Sequence, residues 1–178
     1  MTTTGVVVAL LRGINVGGHA RIPMNELRSV VETLGVGEVR TYLQSGNLVL
    51  AEADDEVGVR CERAIASHFG LDVRVLVRTA EEIGEVVAAN PFPVDGLDPR
   101  MVHAVFLEAV PSAEAVERLD PDRSPPDRFV VSGTEIYLHY PNGSGRSKLD
   151  LGYFERTLGV RGTARNWNTV TALLEMAS

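Results

Sequence analysis

The sequence predicts an α+β fold of two ferredoxin-like (split βαβ) modules packed together, each with an antiparallel sheet and helices on one face. Apolar segments with strand character and amphipathic segments at helical spacing follow in the order β-α-β-β-α-β, and most of that order recurs in the second half. The halves also contain similar hairpin sequences, LQSGNLVLA and VVSGTEIYL. We therefore expect a first module over residues 1–78, a connecting helix and loop over 79–100, and a related module with a C-terminal helix over 101–178.

The first module can be predicted element by element. The continuous apolar run at 6–11 is typical of a buried central strand, and Pro23 suits the first turn of a helix. A tight turn at 45–47 separates two short strands, and Gly70 ends a second helix. In chain order, the predicted elements cover residues 6–11, 23–35, 39–44, 48–51, 54–70 and 73–77.

The second half repeats this order less completely. Thr79 and Glu82 have the spacing of a capping box, and the helix that they start ends before Pro91. The run DPDRSPPD at 120–127 indicates a polar surface loop stiffened by proline. The remaining predictions are a strand at 102–108, a helix at 112–119, strands at 128–131 and 135–140, a helix at 147–158, an extended piece at 162–165 and a last helix at 168–177.

Composition restricts the function classes. The chain of 178 residues has a formal net charge of −7, which disfavours binding of nucleic acid through its phosphate backbone. The apolar runs are too short to span a bilayer. The single cysteine, Cys61, allows no intrachain disulfide, so we expect a cytoplasmic protein. The acidic residues are concentrated in 51–139, which leaves room for a basic site built from the two ends. The oligomeric state stays open.

Residues 10–18, LLRGINVGG, place glycines between a strand and a helix, as nucleotide-binding loops do. The G-x-G-x-x-G and G-K-[ST] spacings are absent, however, and the helix starts only after Pro23, so the Rossmann and P-loop mechanisms are excluded. A loop of this length is often functional, and Arg12 and Asn15 are its candidate ligand contacts. The alternative is a glycine-rich turn with a surface arginine.

Two further segments offer polar side chains at chain turns. Ser45 and Asn47 flank the hairpin glycine, while Arg165 and Asn166 precede the last helix, and all four are candidate ligand contacts. Each pair also has a structural interpretation, because Ser and Asn close turns through their own side chains and Asn is a good N-cap. Trp167 is expected to anchor a core or the seam between modules.

Residues 141–150, PNGSGRSKLD, form the stronger candidate site. The glycines let backbone N–H groups converge, Arg146 and the chain's single lysine, Lys148, supply positive charge, and Ser147 is expected to start a helix. Together these features suit an anion. The alternative is that Ser147 and Asp150 merely form a capping box after a flexible loop.

Patterns for catalysis and metal binding are weak. No H-E-x-x-H or H-x-H cluster is present in the sequence, and no D-x-D offers metal-ligand spacing, so neither a metal site nor a cofactor is expected. His68 is expected on an apolar helix face, and His103 and His139 in strands. His19 is the one acid–base candidate beside a motif. The sequence names no catalytic residue.

Six segments in this order resemble the bacterial family catalogued as domain of unknown function 1697, over nearly the full length: LLRGINVGG, IPM, YLQSGNLVL, NPF, RSK and RNWNTV. The resemblance implies a cytoplasmic α+β protein of ferredoxin-like units. It implies no activity, so no catalytic residue is transferred. The family's motif positions here are Arg12, Gly13, Asn15, Gly17, Gly18, Ser45, Gly46, Asn47, Arg146, Ser147, Lys148, Arg165, Asn166 and Trp167.

These observations favour a module that binds an anionic ligand where the loops around Arg12, Arg146 and Arg165 converge. A phosphate-containing small molecule, a nucleotide or a short RNA is the expected ligand class. Two alternatives stay open. One is an enzyme acting on a phosphate-containing substrate, with His19 as its acid–base residue. The other is a structural role, in which the motifs form the seam between two modules.

Overall fold

The computed structural model of the protein describes residues 4–178. The fold is mixed α+β with two four-stranded antiparallel sheets, as the sequence predicts at that level. The chain divides into two compact units. The first comprises the described residues up to Glu85 together with Ala172–Ser178, and the second comprises Val86–Thr171. Within residues 4–178, no helix is long and apolar enough to cross a membrane.

The sheet of the first unit contains the strands β1 (Gly5–Leu11), β2 (Val39–Tyr42), β3 (Asn47–Ala53) and β4 (Val75–Thr79). They lie in the order β2-β3-β1-β4, and every neighbouring pair is antiparallel. Helix α1 (Met24–Glu32) connects β1 to β2, α2 (Val57–Phe69) connects β3 to β4, and α3 (Ala80–Ala88) follows β4. Because β3 runs antiparallel to β1, the end of β1 meets the start of β3.

Apolar side chains of α1 and α2 pack on one face of this sheet. Leu27 of α1 and Cys61 and Ile65 of α2 are completely buried, and they share a core with alternate strand residues such as Ala9. The opposite face of β1 is buried as well, since Leu10 has no accessible surface. The prediction of a strand without an exposed face is thereby confirmed.

The sheet of the second unit contains the strands β5 (Val102–Leu107), β6 (Arg128–Ser132), β7 (Glu135–His139) and β8 (Gly162–Asn166). Their order is β6-β7-β5-β8, again with antiparallel pairs. Helix α4 (Ala113–Glu117) lies between β5 and β6, α5 (Leu151–Leu158) between β7 and β8, and α6 (Trp167–Ala177) follows β8. A 3₁₀ turn, Pro99–Met101, precedes β5. The expected extended piece is a full strand, because it pairs with β5 along its whole length.

Aromatic side chains fill the core of the second unit. Phe154 of α5 is completely buried and meets Phe129 of β6 edge to face, with ring centroids 5.3 Å apart. Just after β7, the buried Tyr140 donates its hydroxyl hydrogen to the carbonyl oxygen of Leu149 at 2.7 Å. This bond fixes the end of the 141–149 loop against the sheet.

Cap chemistry at two helices follows the sequence. The N–H of Glu82 donates to Thr79 Oγ1 at 3.1 Å, and the N–H of Thr79 donates to Glu82 Oε2 at 2.7 Å, which forms the predicted capping box. At α6, the N–H of Thr169 donates to Asn166 Oδ1 at 3.0 Å. Asn166 is therefore a helix cap, as its structural interpretation expects.

The prediction that Ser147 starts a helix is wrong. Helix α5 begins at Leu151, and Asp150 is its N-cap, since its carboxylate accepts a hydrogen bond from the N–H of Tyr153 at 2.7 Å. The hydroxyl oxygen of Ser147 instead accepts from the N–H of Leu149 at 3.0 Å. This local turn competes with helical hydrogen bonding, so the proposed capping box of Ser147 with Asp150 is also wrong.

Candidate functional site

The loop after β1 is an ordered hairpin held by the side chain of Asn15. Val16 and His19 form an antiparallel bridge around a two-glycine turn. The Asn15 amide nitrogen donates to the carbonyl oxygens of Ile22 at 2.9 Å and Gln44 at 2.7 Å, and its oxygen accepts from the N–H of Ile22 at 2.8 Å. Bonds within the chain therefore engage both amide donors of Asn15.

The turn between β2 and β3 lies against this loop. The carbonyl oxygen of Gly46 accepts from the N–H of Leu11 at 2.9 Å. A Cβ on Gly46 would stand 2.7 Å from Ile14 Cδ1, and φ is +90° there, so the position requires glycine. Asn47 is fully buried, and its amide donates to Ser45 Oγ at 3.1 Å and to the carbonyl oxygen of the last β2 residue at 2.7 Å.

A cleft of about 420 Å³ opens beside these two loops. Its lining residues are Asn15, Gly18, Arg21, Ile22, Pro23 and Gln44. Among the described residues, no group pairs with the side chain of Arg21 or Gln44. Arg12 is half-buried next to this region, and its backbone N–H donates to the carbonyl oxygen of Arg74 at 2.9 Å. The first motif loop thus lines a defined cleft, and the hydrogen bonds of Asn15 fix the position of the loop there.

In the second unit, hydrogen bonds attach the 141–149 loop to residues 123 and 124. The hydroxyl oxygen of Ser124 accepts from the N–H of Lys148 at 3.1 Å, and Arg123 Nε donates to the carbonyl oxygen of Lys148 at 2.9 Å. Ser147 Oγ also lies 3.5 Å from Ser124 Oγ. These bonds shape the loop without using the side chain of Arg146 or the ammonium group of Lys148.

This loop and residues 124–127 line a second cleft, of about 410 Å³. Its lining residues are Ser124, Pro125, Pro126, Asp127, Asn142, Gly143, Arg146 and Ser147. Arg146 is exposed, and no group in the described part of the chain forms an ion pair or hydrogen bond with its guanidinium. Lys148 is exposed too, and its ammonium group has no such partner within residues 4–178. The cleft lining therefore combines an unpaired cation with two hydroxyl residues, an amide residue and the acidic residue Asp127.

Arg165 lies in strand β8 with a buried side chain. Its Nη1 donates to Thr163 Oγ1 at 2.5 Å and to the carbonyl oxygen of Ala164 at 2.8 Å, and burial lowers the pKa of the guanidinium to about 10. Trp167 is 3% exposed and lies near Tyr137, with ring centroids 6.4 Å apart. The expectation that Trp167 is a packed anchor is confirmed.

The nucleophile and acid–base candidates are dispersed. Burial raises the pKa of the Cys61 thiol to about 11, which makes it a poor nucleophile at neutral pH. His19 is exposed in its hairpin, and His68 is exposed rather than on the apolar face that was expected. Burial lowers the pKa of His103, and the Nδ1 atoms of His103 and His139 are buried without a partner. Among residues 4–178, no three His, Cys, Asp or Glu side chains are grouped as metal ligands would be.

A family model described as "Protein of unknown function (DUF1697)" matches residues 4–137. The chain belongs to this family. The resemblance recognised in the sequence motifs is confirmed. A comparison with curated proteins found no match. Among solved structures, the chain is similar to "conserved bacterial protein SP0830 from Streptococcus pneumoniae", with a TM-score of 0.72, 24% identity, and 99% of this chain and 100% of that chain covered. At this identity the likeness concerns the fold alone.

The matched span of the DUF1697 family includes the motif loops of the first unit and ends before Arg146. Three polar residues of the second cleft, Ser124, Asp127 and Asn142, were not singled out by the sequence. The sequence indicates only that the run DPDRSPPD is a polar loop. Nothing in its composition indicates that it folds against residues 141–148, since that contact spans about twenty residues of intervening chain.

Proposed function

We propose that this DUF1697 protein binds an anionic, phosphate-containing ligand in the cleft lined by Arg146. The observation that carries the proposal is the exposed, unpaired guanidinium of Arg146 above a cleft of about 410 Å³. Arginine presents several donors in a fixed plane, which suits the paired oxygens of a phosphate or carboxylate group. An unpaired arginine beside a concave polar surface therefore suits contact with an anion.

Neighbouring groups support the same ligand class. Ser124 Oγ accepts from the N–H of Lys148, which leaves the hydroxyl hydrogen of Ser124 available to donate to a ligand. The amide of Asn142 lines the same cleft. Lys148 adds a second unpaired positive charge on this loop. The proposal thus gives contacts to Arg146, Ser147, Ser124 and Asn142 in the lining, and to Lys148 next to them in the chain.

The remaining motif residues have different expected roles. Hydrogen bonds within the chain engage Asn15, Asn47, Arg165 and Asn166, which favours a supporting role in which they hold loops and strands in place. Arg12 and Ser45 remain predicted ligand contacts of the first unit, and the present proposal does not depend on them. The burial of Asn47 and Trp167 is the observation that favours a structural role for part of the motif set.

The test is a calorimetric titration of the purified protein with inorganic phosphate, pyrophosphate, AMP and a short RNA, each in turn. We expect at least one phosphate compound to bind, and we expect the double variant Arg146→Ala and Lys148→Ala to weaken its affinity by about tenfold or more. Arg161→Ala is the matched control, because Arg161 is an exposed arginine of the same unit outside the cleft. Absence of binding, or an equal loss in the control, would refute the proposal.

The alternative of an enzyme acting on a phosphate-containing substrate remains a prediction. His19, its acid–base candidate, is exposed in the first-unit hairpin, and no carboxylate of the described chain pairs with its ring. Turnover of a bound phosphate ester in the same titration would favour this alternative.

We further propose that each sheet with its two connecting helices is a ferredoxin-like module, and that the regions are 1–78, 79–100 and 101–178. The repeated β-α-β-β-α-β order and the strand orders β2-β3-β1-β4 and β6-β7-β5-β8 support this assignment. A cytoplasmic location is proposed as well, on the grounds of a single buried thiol, Cys61.

A further inference from the structure

Asp127 has an unusual environment in the Arg146 cleft. The residue lines the cleft although it is only 8% exposed. Its backbone N–H donates to the carbonyl oxygen of Ser124 at 2.9 Å. No donor among residues 4–178 bonds or pairs with the carboxylate itself. An aspartate residue that is more than nine-tenths buried and whose carboxylate lacks a partner is rare in folded proteins.

The carboxylate oxygens of Asp127 are not completely buried. In the described chain, the buried side-chain atoms with neither a partner nor accessible surface are Arg60 Nε, His103 Nδ1 and His139 Nδ1. The oxygens of Asp127 are not among them although they have no partner, so they retain some accessible surface. Asp127 is also one of the residues that line the cleft.

The neighbouring side chains do not neutralise Asp127. The hydroxyl of Tyr140 donates to the carbonyl oxygen of Leu149 and not to this carboxylate. Burial first, and then the nearby charges of Asp127 and Asp150, raise the pKa of Tyr140. The guanidinium of Arg146 lines the same cleft without pairing with Asp127.

We propose that the ligand of this cleft is a small zwitterion, whose phosphate group binds Arg146 and whose primary ammonium group binds Asp127. The inference rests on the proposed function, since the phosphate contact is the one assigned above. A buried carboxylate loses the hydration that stabilises its charge. A cationic group of a ligand compensates for that loss better than a neutral hydroxyl group, because the hydroxyl supplies only a hydrogen bond. The ligand class is therefore a phosphorylated amine.

Three probes that differ at one terminal group test the inference: O-phosphoethanolamine, 2-hydroxyethyl phosphate and ethyl phosphate. In the unmodified protein, we expect O-phosphoethanolamine to bind about tenfold more tightly than either of the others, measured by calorimetry at one pH and salt concentration. Asp127→Asn should remove this preference while it leaves the affinity for ethyl phosphate unchanged or higher. Asp122→Asn, an exposed acidic residue of the same loop, is the control and should keep the preference.

The outcomes separate the two proposals. Equal affinity for the three probes, or equally tight binding of the hydroxyl probe, overturns the inference about Asp127, and the proposed function stands if Arg146→Ala still weakens ethyl phosphate. Failure of all three probes to bind overturns the inference, and the proposed function then depends on the titration with inorganic phosphate, pyrophosphate, AMP and RNA. Because the comparison among probes uses the unmodified protein, the inference is tested even if Asp127→Asn fails to fold.

Discussion

The amide nitrogen of Asn15 lies 2.7 Å from the carbonyl oxygen of Gln44, and this hydrogen bond joins two loops that are 29 residues apart in the chain. Asn15 has a φ of +53°, a left-handed conformation that is unfavourable for most non-glycine residues but that asparagine adopts more readily than they do. Two further bonds to Ile22 offset this cost. The shape of the first motif loop therefore depends on one asparagine as well as on its glycines.

We expect Asn15→Ala to destabilise the protein by about 2–4 kcal/mol, since it removes three hydrogen bonds and leaves alanine in the left-handed region. Urea unfolding followed by circular dichroism measures the loss. Asn25→Ala, at an exposed position of α1, is the control and should change the unfolding free energy little. Similar losses in both variants would contradict the assigned role of Asn15.

Gly46→Ala should be more damaging than Gly13→Ala. Both glycines have a positive φ, +90° and +70°, so both alanines pay the left-handed penalty of about 1 kcal/mol. At Gly46 a Cβ would also stand 2.7 Å from Ile14 Cδ1, whereas at Gly13 nothing lies within 4 Å. Overpacking adds about 1–3 kcal/mol at Gly46. Equal unfolding free energies of the two variants would show that the Ile14 contact is relaxed at little cost.

Asp150→Ala should lower the unfolding free energy by about 1 kcal/mol, because it removes the acceptor for the Tyr153 N–H at the start of α5. Asp150→Asn should retain most of the stability, as asparagine is an equally good N-cap. Thermal unfolding of both variants provides the comparison. A larger loss in Asp150→Asn than in Asp150→Ala would mean that capping is not the role of this side chain.

The pH dependence of stability should include a contribution from His103. Burial lowers the pKa of its imidazole below the ordinary 6.5, so protons bind more readily to the unfolded chain. The stabilisation is complete above pH 6.5, and it is lost as the pH falls from there through the lower pKa of the folded state. The slope for this one group cannot exceed about 1.4 kcal/mol per pH unit.

Urea unfolding at several pH values from 7.5 to 4.5 tests this prediction. His103→Gln should give a shallower dependence than the unmodified protein, whereas His68→Gln, at an exposed helix position, should not. Identical slopes in the two variants would exclude His103 as the source.

Local chemistry explains why much of the fold could be predicted. The apolar run of β1, the capping box of Thr79 with Glu82, and the glycine ends of helices α2 and α5 depend on residues within a few positions of one another. The start of α5 was missed for a local reason too. Ser147 and Asp150 are both good caps, and the side-chain bond of Ser147 to Leu149 decides against the first of them.

The candidate site could be predicted only in part. Arg146 and Lys148 stand out in the sequence because charge and glycine occur together. Asp127 does not stand out in the sequence, because an aspartate in a proline-rich loop is ordinarily solvated. Its burial becomes visible only in the structure, where residues 124–127 lie against the 141–148 loop. Burial of a polar group is a property of contacts between segments that are distant in the chain.

The sequence by itself determined the family, the α+β class, the order of strands and helices, and the basic loop around Arg146. Each follows from local patterns of polarity, from turn residues and from the residue identities of the motifs. The tertiary structure decided which polar side chains remain available to a ligand. Asn15, Asn47 and Arg165 form hydrogen bonds within the chain, whereas Arg146 and Asp127 line a common cleft without partners in the described chain. The physical reason is that side-chain pairing depends on distances across the fold, which a linear sequence does not contain.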